Sequence, residues 1–234
     1  MSSATALRAS IEAQIPSAFA VYRRPEQKTI LTGISQIDSV TAGIPVSALT
    51  EICGSNLASS GKTSVLMSLL AQATQKHFCA LVDSNDSFDP VSAETVGVNF
   101  SRLLWVRCGK NKSRLKPMEQ AFKTTDMLLQ SGGFGLIVVD LSGLPERLVR
   151  KVPLTTWFRF SRVVEKQRAA LVFIEQKPHA TSCAGLALNL KAKPAALSGN
   201  LLTEFELEAE VVRVREKKSS HSAKPDFSLK AQWA

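Results

Sequence analysis

A chain of 234 residues suits one globular domain with extra segments at its ends and leaves little room for a second. With 44% hydrophobic and 21% charged residues its composition is ordinary for a globular protein, which excludes disorder over most of its length. The formal charge of +9 is uneven, −2 over residues 1–100 and +11 over 101–234, which points to an anionic partner such as nucleic acid or else to a basic surface with no ligand.

In chain order, Leu7, Ile11 and Ile15 stand four apart and predict a short amphipathic helix over 4–15, closed by Pro16. Residues 16–30 read as a linker, so 1–30 form an N-terminal helix and linker ahead of a core over 31–215. Ala48–Cys53 predicts a strand, 62–75 a helix after a polar Gly/Ser loop, and 78–82 the next strand. Pro90 opens a short helix over 90–96, and 103–106 is again strand-like. The basic loop 110–116 precedes a helix on which Met118, Ala121, Phe122, Thr125, Leu128 and Leu129 recur at helical spacing. Residues 134–139 form a continuous apolar run, as a strand covered on both faces should. A helix over 156–167 and a buried strand over 170–174 follow. After 185 the pattern changes to strands at 186–190, 205–214 and 227–230 without long helices, and 216–234 reads as a basic loop and C-terminal strand. This order predicts an α/β fold, a mostly parallel twisted sheet with helices on both faces and antiparallel C-terminal strands.

The longest charge-free runs are 13 residues, short of the roughly 18 a membrane-spanning helix needs. Arg8 and Glu12 interrupt any apolar signal region, so a cytoplasmic chain is expected, with no membrane partner. Cys53, Cys79, Cys108 and Cys183 form no Cys-x-x-Cys pair and read as buried thiols, while His77, His179 and His221 are isolated and read as solvated or core side chains.

The sharpest local signal is Gly54-Ser-Asn-Leu-Ala-Ser-Ser-Gly61-Lys62-Thr63 between a strand and a helix. Small residues let a backbone curl its N–H groups toward phosphate oxygens, and the helix N-terminus adds positive potential. Lys62 would reach the β- and γ-phosphates and Thr63 would ligate Mg²⁺; Gly54, Asn56, Ser59, Ser60, Gly61 and Ser64 complete the cradle. A P-loop has four residues between its glycines, and Gly54 and Gly61 have six. Either the loop bulges by two residues or Asn56 takes the conformation usually left to glycine. Leu136-Ile-Val-Val-Asp140, an apolar strand ending in a carboxylate, supplies the Walker B pattern, with Asp140 expected on a neighbouring strand as the second Mg²⁺ residue.

With these motifs the chain resembles RecA-type ATPases over roughly 30–215. Thr32-Gly33 to Asp38, Gly43-Ile-Pro45 and Leu49 to Gly54 are similar to the family's approach to its P-loop. So are Cys79-Ala-Leu-Val-Asp83 through Asp89-Pro90, and Gln130 to Asp140. Leu171-Val-Phe-Ile-Glu-Gln176 looks like the strand ending in the family's glutamine sensor of the γ-phosphate, and Asp89 matches its adenine-side aspartate. The runs Leu49–Thr63, Leu104 to Cys108 and Leu154 to Arg162 resemble the short bacterial ImuA-like proteins, accessory factors of damage-induced mutagenesis. The resemblance implies a RecA-like core, ATP and Mg²⁺ as structural or regulatory ligands, and a role in DNA repair and translesion synthesis. It also implies an error-prone polymerase partner, single-stranded DNA and self-assembly.

Departures from the family bear on turnover. Asn85 stands where the family's water-orienting glutamate falls, leaving Asp86 next to it as the candidate substitute, and Ser92 replaces an adenine-stacking aromatic. An accessory protein with weak or absent hydrolysis is expected; a DNA-dependent ATPase using Lys62, Thr63, Asp140, Gln176 and Asp86 stays open, as does a nucleotide-free scaffold. The loops 141–153 and 177–185 are short and poor in glycine compared with the family's DNA-binding loops. Three basic groups are the candidate nucleic-acid contacts. They are Lys110, Lys112 and Arg114 in a loop, Arg159, Arg162 and Lys166 on one helical stripe, and Arg213 with Arg215 late in the chain.

Overall fold

The computed structural model describes residues 28–55, 60–108, 116–193, 196–198, 201–214 and 226–230. The expected N-terminal helix and the basic loop 216–224 lie outside them. A small antiparallel ribbon, β1 (Thr29–Ile30) with β2 (Ile44–Pro45), brackets helix α1 (Ser35–Thr41). The body follows as β3 (Ala48–Gly54), α2 (Lys62–Ala73), β4 (Cys79–Asp83), α3 (Pro90–Thr95), β5 (Leu103–Arg107), α4 (Pro117–Ser131) and β6 (Leu136–Asp140). Then come α5 (Glu146–Val149), α6 (Leu154–Glu165), β7 (Ala170–Glu175), β8 (Ala184–Ala192), β9 (Ala196–Ser198), β10 (Leu201–Val214) and β11 (Asp226–Lys230).

Among the described residues one nine-stranded sheet carries the fold in the order β11-β10-β8-β3-β7-β6-β4-β5, with β9 paired to β10. The strands from β8 to β5 run parallel, and β10 pairs antiparallel with both β8 and β11. Every residue of β4, β6 and β7 is buried, because helices cover both faces. Alternate side chains separate the two layers. Ile52, Leu81, Val138 and Val172 face Val65, Leu69 and Leu70 of α2. Leu49, Val82, Val139 and Phe173 face Leu129 of α4 and Trp157, Phe160 and Val164 of α6.

On that second face Trp157 packs edge-on to Phe173 with ring centroids 4.9 Å apart, and Phe122 meets Phe160 at 5.6 Å. Trp157 is therefore a core residue. Burying each such ring contributes about 1.5–3 kcal/mol. Local signals set the helix ends: Pro90 and Pro117 occupy the first turns of α3 and α4, where a missing N–H costs nothing.

β7 and β8 flank β3, both parallel to it, so the chain must travel from the top of β7 to the bottom of β8. Such a crossover commonly takes a dozen or more residues with a helix. Here residues 176–183, with one 3-10 turn, make the whole journey, and Ala180 and Cys183 are buried in the α6-side core. No helix among the described residues is long and apolar enough to cross a membrane.

Candidate functional site

The parallel strands deliver β3, β6 and β7 with their C-terminal ends together, where open α/β sheets place ligands. β3 ends at Gly54, and the chain returns at Ser60 so closely that a Cβ on Gly54 would lie 2.6 Å from the Ser60 side chain. Gly61 then caps α2 in the left-handed conformation at φ 73°. A Cβ there would meet Leu207 of β10 at 2.1 Å, so both backbone conformation and space demand glycine. α2 has no side-chain N-cap bond and no acidic residue in its first turn, the arrangement that leaves a helix N-terminus available to an anion.

Lys62, the first residue of α2, is buried and donates from Nζ to the Gly54 carbonyl at 2.6 Å. Burial lowers its pKa, and the nearby Asp140 carboxylate works against that fall. Asp140 closes β6; its Oδ1 accepts the Ser142 N–H at 2.9 Å. Burial raises its pKa, Asp83 adds to the rise, and Ser142 and Lys62 oppose it. The sequence reading placed Asp140 on the strand beside the phosphate loop; β7 in fact lies between β3 and β6. Ammonium and carboxylate still act on each other across that strand. Thr63 and Ser64 are exposed in the first turn of α2, and Ser60 is buried. The donor set of buried amine, hydroxyl and buried carboxylate fits a triphosphate with its Mg²⁺. Asn56 and Ser59 lie outside the described residues, and with them the choice between a bulge and a glycine-like asparagine.

Gln176, one residue past β7, donates from Nε2 to the carbonyls of Ser142 at 3.2 Å and Leu144 at 2.8 Å. It thus bridges the end of β7 to the loop that follows Asp140. Asn85 is exposed and touches the same loop, since a Cβ on Gly143 would come within 2.6 Å of its side chain. The segment carrying Asn85 is fixed by Asp83, whose carboxylate accepts the N–H groups of Asn85, Ser87 and Phe88 at 3.2, 3.1 and 2.9 Å. Sequence reasoning missed this role, because an aspartate ending a strand has no unique meaning.

Asp86 is not a spare carboxylate. Arg107 grips it with two nitrogens, Nη2 to Oδ2 at 2.8 Å, while the guanidinium lies 5.0 Å from the centre of the Trp105 ring. That pairing commits the Asp86 carboxylate to Arg107, which argues against Asp86 as a stand-in for the glutamate. Asp89 caps α3, accepting the Val91 and Ser92 N–H groups at 3.2 Å each and the Ser92 hydroxyl. Its oxygens retain lone pairs for a further donor.

The basic stripe on α6 is not uniform. Arg159 pairs with Asp126 of α4 at 2.8 Å and lies over Phe160, so it ties two helices together. Arg162 and Lys166 are exposed. Lys166 ends α6 at the foot of the sheet, next to Gln167, whose carbonyl accepts the Ser47 hydroxyl just before β3 begins. That is the end opposite Lys62. Arg213 is exposed on β10; Lys110, Lys112, Arg114 and Arg215 lie outside the described residues.

Three further residues were not singled out as site residues in the sequence. Glu51 and Glu175, both buried, form a cluster with the half-buried His179 of the crossover 176–183. A lone glutamate in an apolar strand was the one available signal, and its partners lie more than a hundred positions away.

The RecA N-terminal domain family matches residues 21–148, more than half of the chain. The protein RecA of Colwellia psychrerythraea is 37% identical over 116 residues, covering 48% of this chain and 31% of that protein. The protein RecA of Wigglesworthia glossinidia brevipalpis is 34% identical over 121 residues, 50% of this chain and 34% of that protein. The matched stretch thus spans about a third of the length of these relatives. With the P-loop strand, the Walker B strand and their shared parallel sheet all inside or beside the matched region, the chain belongs to the RecA N-terminal domain family.

Proposed function

We propose that this chain is an accessory RecA-fold protein of DNA repair that binds ATP with Mg²⁺ and hydrolyses it slowly or not at all. One observation supports the reading: a buried lysine at a helix start faces the charge of a buried carboxylate, while the position the resemblance gives to a catalytic glutamate carries an amide. Lys62 sits at the mouth of α2 within reach of Asp140's charge, Asn85 holds an amide where the family resemblance implies a glutamate, and Asp86 is paired with Arg107. Bound ATP would bring the phosphoanhydride chemistry and Mg²⁺ would bring charge neutralisation. Lys62 would supply a buried positive charge, Thr63 and Asp140 would hold the ion, and Gln176 would position the loop beyond Asp140.

The resemblance to ImuA-like proteins supports an error-prone polymerase assembly as the partner. The short connections after β6 and β7, tied together through Gln176, support a role other than autonomous strand exchange. Direct contact with single-stranded DNA rests on the basic second half of the chain.

Phosphate release from ATP, with and without single-stranded DNA, tests the reading. Wild type is expected near background, and Asn85→Glu is expected to raise the rate by about tenfold or more, since positioned acid–base groups contribute about 10²–10⁴-fold. Fast wild-type release abolished by Lys62→Ala would replace this reading with that of a working ATPase.

A further inference from the structure

The crossover 176–183 lies on the face of β3 that carries Glu51, and backbone pressed against a sheet must find partners for its N–H groups. Glu51 provides them. Its Oε1 accepts the N–H groups of His179 and Ala180, both at 2.6 Å. The His179 ring then meets Glu175 Oε2 through Nδ1 at 2.7 Å, and its Nε2 lies 3.7 Å from Glu146 Oε1 on α5. Glu51 Oε2 and Glu175 Oε1 are buried with no hydrogen-bond partner. Gln176 follows Glu175 directly, so one network joins the phosphate-loop strand, β7 and the loop after Asp140.

We propose that Glu51, Glu175 and His179 are positioning residues that clamp the crossover to β3 and thereby hold the Gln176 amide against the loop after Asp140, with a proton in the cluster setting the grip. Only the last link, from Gln176 to a bound phosphate, rests on the nucleotide reading; the clamp stands without it.

The electrostatics give the sign. Two ionised carboxylates with unpartnered oxygens, buried in neighbouring strands, repel each other, and one added proton relieves them. The charged groups facing the cluster are Glu146 on α5, Lys177 at 3.9 Å from Glu146, and Arg213 on β10, which acts on Glu51. Cys53 and Glu51 share one face of β3, and burial pushes the Cys53 thiol up, so it adds no charge. Burial, with Glu51 adding, raises Glu175 from 4.5 to about 7 against the pull of His179. Its bond to Glu175 raises His179 above 6.5 against the effect of burial. Both groups hold protons more tightly in the folded state, so the clamp is firm at low pH and loosens as pH rises through about 7.

Amide hydrogen exchange of the full chain without nucleotide, corrected for intrinsic rates, reads the clamp directly. In wild type, opening of 176–183 is expected to increase several-fold, on the order of tenfold, between pH 6 and pH 8. Glu175→Gln keeps the shape without the charge and is expected to keep the protection and flatten the pH dependence. His179→Ala is expected to expose 176–183 at both pH values, and His179→Asn, which retains a donor near Nδ1, to restore part of the protection. Exchange of α2 and β6 in each variant separates local release from loss of the fold. Unchanged exchange of 176–183 in His179→Ala, or wild-type pH dependence in Glu175→Gln, would overturn the clamp. Failure of wild type to bind MgATP would instead overturn the nucleotide reading and leave the clamp standing.

Discussion

Lys62 concentrates the chemistry of the site in one side chain. Burial has lowered its pKa, so raising the pH strips its charge earlier than it would for a lysine in water. ATP affinity should therefore decline on the alkaline side, and titration calorimetry across pH 7–10 should show the fall in wild type and none of it in Lys62→Ala. Glu51 is the second residue on which much depends. Removing its acceptor leaves two buried N–H groups unpaired, so Glu51→Ala should cost about 1–3 kcal/mol per group by urea unfolding. Glu51→Gln keeps an acceptor oxygen and should cost less. Neither role could be read from one position. Lys62 is announced by the Gly-Lys-Thr that surrounds it, whereas the meaning of Glu51 depends on backbone 128 residues away.

At the scale of elements, the central strands were legible because helices on both faces force continuous apolar runs, as in Leu136–Asp140 and Ala170–Glu175. The helices α2, α4 and α6 were legible, α4 from its periodicity, and the ends of α2 and α6 lie within two residues of those expected. Shorter pieces were not. α1 is seven residues long and ends in Val40 and Thr41, and β1 and β2 have two residues each, too few for any period to emerge. The direction of β8 was hidden as well, since a crossover without a helix looks like a loop. Element packing also divides the α6 residues by role. Trp157→Ala should lose about 3–5 kcal/mol, while Arg159→Ala, which breaks an exposed pair with Asp126, should lose less than about 1 kcal/mol. Thermal or urea denaturation of the two variants checks the contrast. If α6 contacts DNA, Arg162→Ala should weaken salt-sensitive binding more than Arg159→Ala, because Arg159 is already engaged.

For the molecule as a whole, a parallel sheet brings Gly54, Asp140 and Gln176 to one edge although they are scattered over more than half of the chain. The order of motifs along the sequence anticipated that convergence. It did not anticipate β7 between the two acidic and basic partners, nor the loss of Asp86 to Arg107, because both are facts of strand order and pairing. On the proposed reading this site holds a triphosphate and turns it over slowly or not at all. Calorimetric titration with ATP, with and without Mg²⁺, tests this most directly in wild type, Lys62→Ala and Asp140→Ala. Wild type should bind, more tightly with Mg²⁺. Lys62→Ala should lose about tenfold or more in affinity, the scale of a charge-assisted hydrogen bond worth about 1.5–3 kcal/mol. Asp140→Ala should lose the Mg²⁺ enhancement. Equal binding by wild type and Lys62→Ala, or no binding by wild type, would contradict the existence of the phosphate site.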